Sequence, residues 1–373
     1  MDWFIVLYFI LSLILYFIIK TYCFKTNLKN QKLSDEIEEF EQEENRTYTE
    51  KLKVHHNITI KYLDIYDAQD LVKKNGDYIK GMNQANLSSR HCISIDDLYE
   101  KYKNGFQEIT YNEKETVNKF ILELLNDIKK FNKPYYRYIC KWLNEISIAK
   151  AQSWLEAGMP HTLEKTIIMD ANWFTTPRKT TLVHEIIHIH QRQIEFDFED
   201  LYKELGYHYH PVYIKGMEDI YPLNRNNPDG LSQYWLWKMP KISESNNINT
   251  NLNSQDSINA INSINNYWWI GAIFKTITPN SLNDVNLVAL KLDNDSTGNL
   301  YYLKQHPTLL NKWKPFIAFF GDNPNNYHPN EMTAKFAEYY LLDILNDRTR
   351  NFDNYEGYKI YKKYFENMIN KYY

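Results

Sequence analysis

The chain has 373 residues, a formal net charge of −4, 43% hydrophobic residues and three cysteines. The small negative charge excludes the basic surface that nucleic-acid binding requires, so we expect no nucleic-acid partner. Three cysteines without metal-binding spacing exclude a disulfide framework and favour a reducing environment. The length allows one large domain or two.

The N-terminus carries a run of apolar and aromatic residues, 3–19, that only Ser12 interrupts. The run is long enough for a short transmembrane helix. It fits a cleaved signal peptide poorly, because no basic segment precedes it. We therefore predict a single-pass anchor over residues 1–22. Lysines that follow the run favour a cytosolic location for the rest of the chain, whereas glycosylation sequons, among them the one at Asn86, favour the opposite side.

The segment that follows, residues 23–50, is rich in Asp and Glu and is predicted to be a solvated spacer. The body of the protein is expected over residues 51–373. Within it, residues 51–110 mix short apolar alternations with glycines and predict irregular α+β structure. An apolar stripe predicts a helix over 116–130, and a further helix is expected over 135–151.

A short strand is predicted over residues 164–170, where branched apolar residues follow one another. Thr176 is a good N-cap and Pro177 suits the first turn of a helix, so we predict that the next helix begins there. No glycine or proline interrupts residues 178–205, and apolar residues form a stripe compatible with burial.

This helix carries the motif HEIIH over residues 184–188. Residues four apart share one face of a helix, so His184 and His188 can reach the same metal ion. Glu185 follows the first histidine and can act on a water as general base. His190 is offset from the pair and is expected near the site or in solvent. The alternative is a buried helix whose histidines and glutamate pair with neighbours for structural reasons.

Three further polar residues could reach such a site. His161 either approaches the cleft or lies in a surface loop. Arg225 and Asp229 belong to a strong turn signal over residues 224–230, where Arg225 could bind a substrate carboxylate and Asp229 could order a ligand. An Asn-rich, low-complexity insert follows at about 246–266.

A catalytic zinc site needs three protein ligands, and a candidate for the third is distant in sequence. Pro329 predicts the start of a helix, and Glu331 lies in its first turn, where it could complete a site of two histidines and one glutamate. Glu195 lies about two turns beyond the histidine pair, too far along the helix axis to share an ion. Glu204 and His208 remain local alternatives if the chain turns back.

The HEIIH motif together with Asn330-Glu331-x-x-Ala334 resembles the gluzincin metallopeptidases, typified by thermolysin. Short blocks at residues 159–162, 183–192 and 328–331 are similar to a poorly characterised group of zinc peptidases from bacteria and large DNA viruses. Only these short blocks are specific.

The resemblance implies a zinc ion bound by His184, His188 and Glu331, with Glu185 taking a proton from water. It also implies a zincin-like core in which the strand before the motif lies along the cleft and pairs with an extended substrate. One position departs from the thermolysin pattern. Those enzymes have an aspartate four residues after the third ligand, where this chain has Lys335, so another group must orient His184.

These features predict an α+β, mostly helical fold with a zincin-like core and an N-terminal transmembrane helix. They predict a membrane-anchored zinc metallopeptidase acting on a peptide or protein substrate. Candidates for stabilising the oxyanion are His208, Tyr209 and His210, which the sequence does not rank. The rival interpretation is a non-catalytic membrane-anchored scaffold or binding protein with a degenerate zincin fold, and a hydrolase of non-peptide amides is a third.

Overall fold

The computed structural model describes residues 51–54, 56–74, 76–230, 235–240, 266–322, 327–345 and 352–371. They form an α+β fold that is about half helical, so the predicted class is confirmed. The helices are α1 (Ile65–Lys74), α2 (Gly76–Lys80), α3 (Gln84–Ser88), α4 (Ile95–Gly105), α5 (Tyr111–Phe131), α6 (Lys133–Trp142), α7 (Lys179–Gln193), α8 (Phe196–Glu204), α9 (Lys314–Phe320), α10 (Pro329–Ile344) and α11 (Glu356–Lys371).

The first sheet has six strands in the order β1-β2-β4-β6-β5, with β3 paired to β4. These strands are β1 (Lys51–Val54), β2 (His56–Tyr62), β3 (Phe106–Gln107), β4 (Glu145–Ala151), β5 (His161–Leu163) and β6 (Thr166–Asp170). Strands β2, β4 and β6 run parallel, and β5 runs antiparallel to β6. Strand β6 confirms the prediction of a strand over 164–170, and it has a neighbour on each side.

The second sheet is antiparallel and also has six strands, in the order β11-β10-β9-β8-β7, with β12 paired to β10. Its strands are β7 (Tyr207–Tyr209), β8 (Trp235–Trp237), β9 (Trp268–Phe274), β10 (Val285–Asn294), β11 (Leu300–Tyr302) and β12 (Thr308–Leu309). No strand was predicted over this part of the sequence. The emphasis on helices was therefore too strong.

Helix α5 shows how local sequence determines an element. Thr110 is its N-cap, and Glu113 reaches back to accept a hydrogen bond from the Thr110 N–H at 2.9 Å, which completes a capping box. Val117, Ile121 and Ile128 lie on the buried face. The prediction of a helix over 116–130 is confirmed, although the helix begins earlier, at its cap.

The predicted helix over 135–151 is wrong in its second half. Helix α6 ends at Trp142, and the chain continues as β4 inside the first sheet. Ile146 and Ile148 are fully buried there, and Ala149 on the other face is buried as well. A parallel strand covered on both faces is a continuous apolar run, which periodicity alone does not distinguish from a buried helix.

The HEIIH helix, α7, begins later than expected. Its N-cap is Arg178, without a side-chain cap, because Thr176 ends a preceding 3₁₀ turn by donating its N–H to Asn172 O and Trp173 O. Helix α10 begins at Pro329 as predicted, and its N-cap His328 accepts a hydrogen bond from the Asn330 N–H. Helices α7 and α10 pack against each other in the main hydrophobic core.

Several predictions lie outside the described residues: the membrane anchor over 1–22, the spacer over 23–50 and nearly all of the insert at about 246–266. Among the helices that the structure describes, none combines the length and the apolar character needed to cross a bilayer. Asn86, one of the sequons, is fully buried and donates to Asn224 O at 2.8 Å, so the folded chain offers no room for a glycan there.

Candidate metal centre

Two helices distant in sequence bring three ligand-type side chains together. The imidazoles of His184 and His188, one turn apart on α7, have ring centroids separated by 4.8 Å. Helix α10 brings Glu331 against them, with 3.3 Å between His184 Nε2 and Glu331 Oε2 and 3.9 Å between His188 Nε2 and Glu331 Oε1. One ligand atom from each residue lies within 4.8 Å of the other two.

These separations fit a small divalent cation. Ligand atoms about 2.0–2.1 Å from a tetrahedral zinc ion lie roughly 3.3 Å from one another. The His184–Glu331 separation already has that value, the His188–Glu331 separation of 3.9 Å exceeds it by about 0.6 Å, and all three ligand atoms lie within 4.8 Å of one another. His188 Nε2 is buried and has no hydrogen-bond partner among the described residues. A buried nitrogen lone pair that faces a carboxylate is costly in the protein alone, and a cation between them removes the cost.

A carboxylate fixes the orientation of His184. Its Nδ1 lies 2.8 Å from Glu338 Oε1, and because a carboxylate only accepts, Nδ1 carries a proton. Nε2, which faces Glu331, is therefore the nitrogen that could bind a metal, and the metal would replace the proton that this nitrogen otherwise shares with Glu331. Lys335 donates to the other oxygen of Glu338 at 2.7 Å. Glu338 is therefore the group that orients His184, and Lys335 holds Glu338 in place.

An amide fixes the orientation of His188. Gln191 Oε1 accepts from His188 Nδ1 at 2.8 Å. The amide nitrogen of Gln191 donates to Asn330 O at 3.0 Å and to Thr333 Oγ1 at 2.8 Å, which determines how the amide is turned. Gln191 thus orients one imidazole and joins α7 to the first turn of α10.

The electrostatics of the three candidate ligands favour a cation. Burial lowers the pKa of His184, but hydrogen bonds to Glu331 and Glu338 outweigh it and raise that pKa well above 6.5. Burial also lowers the pKa of His188, which keeps this imidazole neutral. Burial would raise the pKa of Glu331, but the histidines hold it well below its usual range. Glu331 is therefore an ionised carboxylate beside a neutral imidazole.

Glu185 has the surroundings of a proton acceptor. The hydroxyl of Thr162 donates to its Oε2 at 2.9 Å. Burial, followed by the nearby charge of Asp229, raises the pKa of Glu185 to about 8. Glu185, His188 and Asp229 also have ligand atoms within 4.8 Å of one another, so two carboxylates flank the imidazole.

A cavity of about 220 Å³ opens onto this cluster, and His184, Glu185, Glu331 and Glu338 form part of its wall. The wall also includes residues of the loop over 224–230. They are Arg225, Asn226, Asn227, Pro228 and Asp229, together with His161 of β5 and Tyr327. His161, Arg225 and Asp229 therefore line the cavity. Of the two alternatives left open for His161, the approach to the cleft is the one observed, and the binding roles suggested for Arg225 and Asp229 stay predictions.

The loop over 224–230 is tied to helix α10. Asn227 Nδ2 donates to Glu331 Oε1 at 2.5 Å and to the Tyr327 hydroxyl at 2.9 Å. Asn330 Nδ2 donates to Asp229 O at 2.8 Å. A Cβ atom on Gly230 would lie 2.8 Å from the His328 ring, so glycine permits this close approach.

Other predicted site residues lie elsewhere. His208 and Tyr209 are on β7 of the second sheet and, like His210, are not part of the cavity wall, so the proposed oxyanion donors are not where they were expected. Glu195 and Glu204 do not join the ligand cluster among the described residues.

The prediction that His190 lies near the site or in solvent is wrong. His190 is fully buried, stacks on Trp142 with ring centroids 4.2 Å apart and lies 3.0 Å from Asp197 Oδ2. It belongs to the helix-packing core behind the cluster.

The predicted pairing of substrate with the strand before the motif is also wrong, because β4 and β5 occupy both sides of β6. The free edge belongs to β5, and its outward groups at Thr162 already have partners. Thr162 N–H donates to Asp229 Oδ1 at 2.9 Å, and Arg192 donates to Thr162 O at 2.8 Å.

Sequence reasoning missed Glu338, Gln191, Thr162, Asn227 and Tyr327. Two of them left a detectable signal. Glu338 is seven residues after Glu331, and Gln191 is three after His188, which are spacings that share one helix face.

The comparisons with known proteins gave no match: no family model, no curated protein and no solved structure corresponds to this chain.

Proposed function

We propose that this protein is a zinc-dependent metallopeptidase with a zincin-like core, in which His184, His188 and Glu331 hold the ion and Glu185 is the general base. The observation that carries the proposal is the convergence of two oriented imidazoles and a buried carboxylate at one end of a cavity, with His188 Nε2 lacking any partner among the described residues. The donor set of two nitrogens and one oxygen is one that zinc accepts in catalytic sites.

A zinc ion bound there would supply Lewis acidity, making a water easier to deprotonate and a peptide carbonyl more electrophilic. Glu185 takes the proton of the water. Thr162 holds its Oε2, which leaves Oε1 to accept the proton and pass it to the leaving amine. Burial raises the pKa of Glu185 to about 8 when no cation is bound, and a nearby cation would lower that pKa, which would make the carboxylate form available to accept a proton near neutral pH.

Tyr327 is the group we assign to the developing oxyanion. Its hydroxyl oxygen accepts from Arg225 at 2.8 Å and from Asn227 at 2.9 Å, so its own hydrogen is free to donate. Burial raises the pKa of Tyr327 above 10, so the phenol remains protonated at neutral pH. Tyr327 lines the cavity, as an oxyanion donor must.

The substrate class we propose is a peptide or protein. Attachment to a membrane through the apolar N-terminal run stays a prediction from the sequence, and so does the cytosolic side. The resemblance to gluzincins and to the bacterial and viral group supports the proposal through the HEIIH motif and Glu331.

The test is metal analysis and peptide hydrolysis by the purified full chain. We expect about one zinc ion per chain in the wild type and in Glu185→Gln, and its loss in His188→Ala. Glu185→Gln should lower hydrolysis of a random peptide library by about 10²- to 10⁴-fold, because it removes the general base. A wild type that holds zinc but cleaves no member of the library would support the non-catalytic scaffold instead.

A further inference from the structure

Two arginines lie in the described cavity wall, and their surroundings differ. Arg90 forms a bidentate ion pair with Glu156, with Nε–Oε1 and Nη2–Oε2 distances of 2.8 and 2.7 Å. Arg225 donates instead to neutral oxygens, the Tyr327 hydroxyl at 2.8 Å and Leu282 O at 3.4 Å. Within the described parts of the chain, no carboxylate is at ion-pair distance from Arg225.

Arg225 is surrounded by protein and keeps partial exposure because it faces the cavity. A guanidinium has five N–H donors in a planar fork, and the two oxygens it contacts use only some of them. Removing a cation from bulk water without a counter-ion is costly. A cation kept in this position therefore indicates that the functional state brings an anion into the cavity.

The distance from Arg225 to the ligand cluster is short enough for one substrate residue to span. Three hydrogen bonds join Arg225 Nη2 to Glu331 Oε1 through Tyr327 and Asn227, so these atoms are at most about 8 Å apart. One residue spans about 3.8 Å between successive backbone positions. A charge-assisted hydrogen bond adds about 2.8 Å. A carboxylate one residue beyond the scissile carbonyl therefore reaches Arg225.

The shape of the site favours the end of a chain over its middle. The backbone groups of Thr162 at the free edge of β5 are already bonded, so an extended substrate cannot add as a strand at that residue. The cavity beside the cluster measures about 220 Å³, which suits one or two residues beyond the scissile bond. Arg225 also lines a second cavity of about 540 Å³, and a carboxylate bound to Arg225 would end the substrate before that space.

We propose that Arg225 binds the C-terminal carboxylate of a peptide substrate, so that the site removes residues from the C-terminal end. This inference rests on the proposed function. Hydrolysis breaks the last C–N bond, joins the water oxygen to the acyl carbon and leaves both hydrogens of the water on the released amine. Arg225 is thus a specificity-determining residue that touches substrate.

The test compares pools of N-acetylated tripeptides that differ only at the C-terminus. The zinc-loaded full chain with Glu185→Gln is incubated with a free-acid pool, the matching amide pool and an amide pool with glutamate at an internal position, and bound peptides are counted by mass spectrometry. A C-terminal amide cannot form the charge-assisted hydrogen bonds that a carboxylate forms with Arg225. We therefore expect the free acids to be retained about 10- to 100-fold better than the amides. Adding Arg225→Gln should abolish the preference, and Arg225→Lys should restore part of it, because it keeps the charge without the fork.

Arg178→Gln, at an exposed arginine before α7, is the matched control and should keep the full preference. Equal retention of acids and amides overturns the inference, even if the wild type proves to be a peptidase. Retention of the internal-glutamate amides as well as the free acids also overturns it, because the anion would then be a side chain. If Arg225→Gln does not fold, the acid-to-amide ratio in the Glu185→Gln chain still shows whether the site prefers a C-terminal carboxylate, and the comparison with Arg225→Lys shows whether Arg225 causes the preference. A preference for free acids without hydrolysis by the wild type refutes the proposed function and leaves carboxylate binding by Arg225 in place.

Discussion

His184 lies between two carboxylates with different tasks. Glu331 faces its Nε2 as the proposed fellow ligand, and Glu338 accepts a hydrogen bond from Nδ1. Both carboxylates come from the same face of α10, two turns apart. A hydrogen bond from the non-coordinating ring nitrogen of a ligating histidine to a carboxylate fixes the tautomer of the ring. It also makes the other ring nitrogen a better electron-pair donor to a metal.

Removing the Glu338 carboxylate should therefore weaken zinc binding without removing a ligand. We expect Glu338→Ala to lower zinc affinity about 10- to 100-fold. Glu338→Gln should lower it less, because the amide oxygen still accepts from His184. Competition with a chelator measures the affinity, and Glu123→Ala on the exposed face of α5 serves as control. Equal affinities for Glu338→Ala and the wild type would show that His184 needs no such support.

The sequence predicted the four residues of the proposed centre but not the side chains that surround them. Local spacing leads to His184, Glu185 and His188, and helix-start signals lead to Glu331. Arg225 was proposed as a carboxylate clamp, yet the reason that it faces a cavity without a counter-ion depends on long-range packing. Tyr327 had no sequence signal, because a single tyrosine among many carries none.

Helices α7 and α10 must approach closely for their side chains to share an ion. Ala334 lies on the face of α10 between Glu331 and Glu338, and it is fully buried. A small residue there permits the close approach. The distance between these helices therefore sets the geometry of the cluster.

Enlarging that residue should separate the helices. We expect Ala334→Leu to lower the free energy of unfolding by about 1–3 kcal/mol through overpacking. It should also weaken zinc binding, because Glu331 is one turn away. Urea denaturation and chelator competition measure the two effects, and Lys119→Leu on the exposed face of α5 is the control. Lower stability with unchanged zinc affinity would argue that helix spacing does not control the site.

Elements were predictable where the residue pattern has one interpretation. The amphipathic stripe of α5, the branched residues of β6 and the proline that opens α10 each gave the correct element. Strand β4 was mistaken for helix because a strand buried on both faces has no alternation to detect. The second sheet was missed because β7, β8 and β11 have only three residues each, too few for a periodic pattern, and because β9 is a continuous apolar run, which periodicity does not distinguish from a buried helix.

For the molecule as a whole, a buried ionic network supports the back of the cavity. Glu156 accepts from Arg90 and from Tyr102 at 2.6 Å, and the side chains of Arg90 and Glu156 are almost entirely buried. Glu156 and Ala157 have positive φ angles, 46° and 55°, a strained conformation that persists only where the surroundings enforce it. The chain runs from this turn into β5, so the network helps to position Thr162.

Because of this network, the free energy of unfolding should depend on pH. Burial opposes ionisation of Glu156, but Arg90 lowers its pKa from 4.5 to about 2. A lowered carboxyl pKa adds stability above the unfolded-state value, and this stability is lost as pH falls through the folded-state value. Glu156→Gln should cost about 3–5 kcal/mol at pH 7, because Arg90 is left buried without its counter-ion. The difference in the free energy of unfolding between Glu156→Gln and the wild type should shrink as pH falls from about 4.5 toward 2.

Urea denaturation at pH 7, 5, 4 and 3 measures that difference. The double variant Arg90→Met/Glu156→Leu is the control, since removing both charges should cost less than removing one. A difference that stays constant over the whole pH series would contradict the assignment of Glu156 as an ionised, paired group.

The donor atoms at the proposed centre are nitrogen and oxygen, with no sulfur among them. The two described cysteines, Cys92 and Cys140, are free and lie outside the cavity wall. Imidazole and carboxylate are not altered by the oxidants that convert thiolates to disulfides or sulfenic acids. The three proposed ligands should therefore tolerate air and peroxide during handling, and among the described residues of the cavity wall the thioether of the exposed Met159 is the group that peroxide would modify.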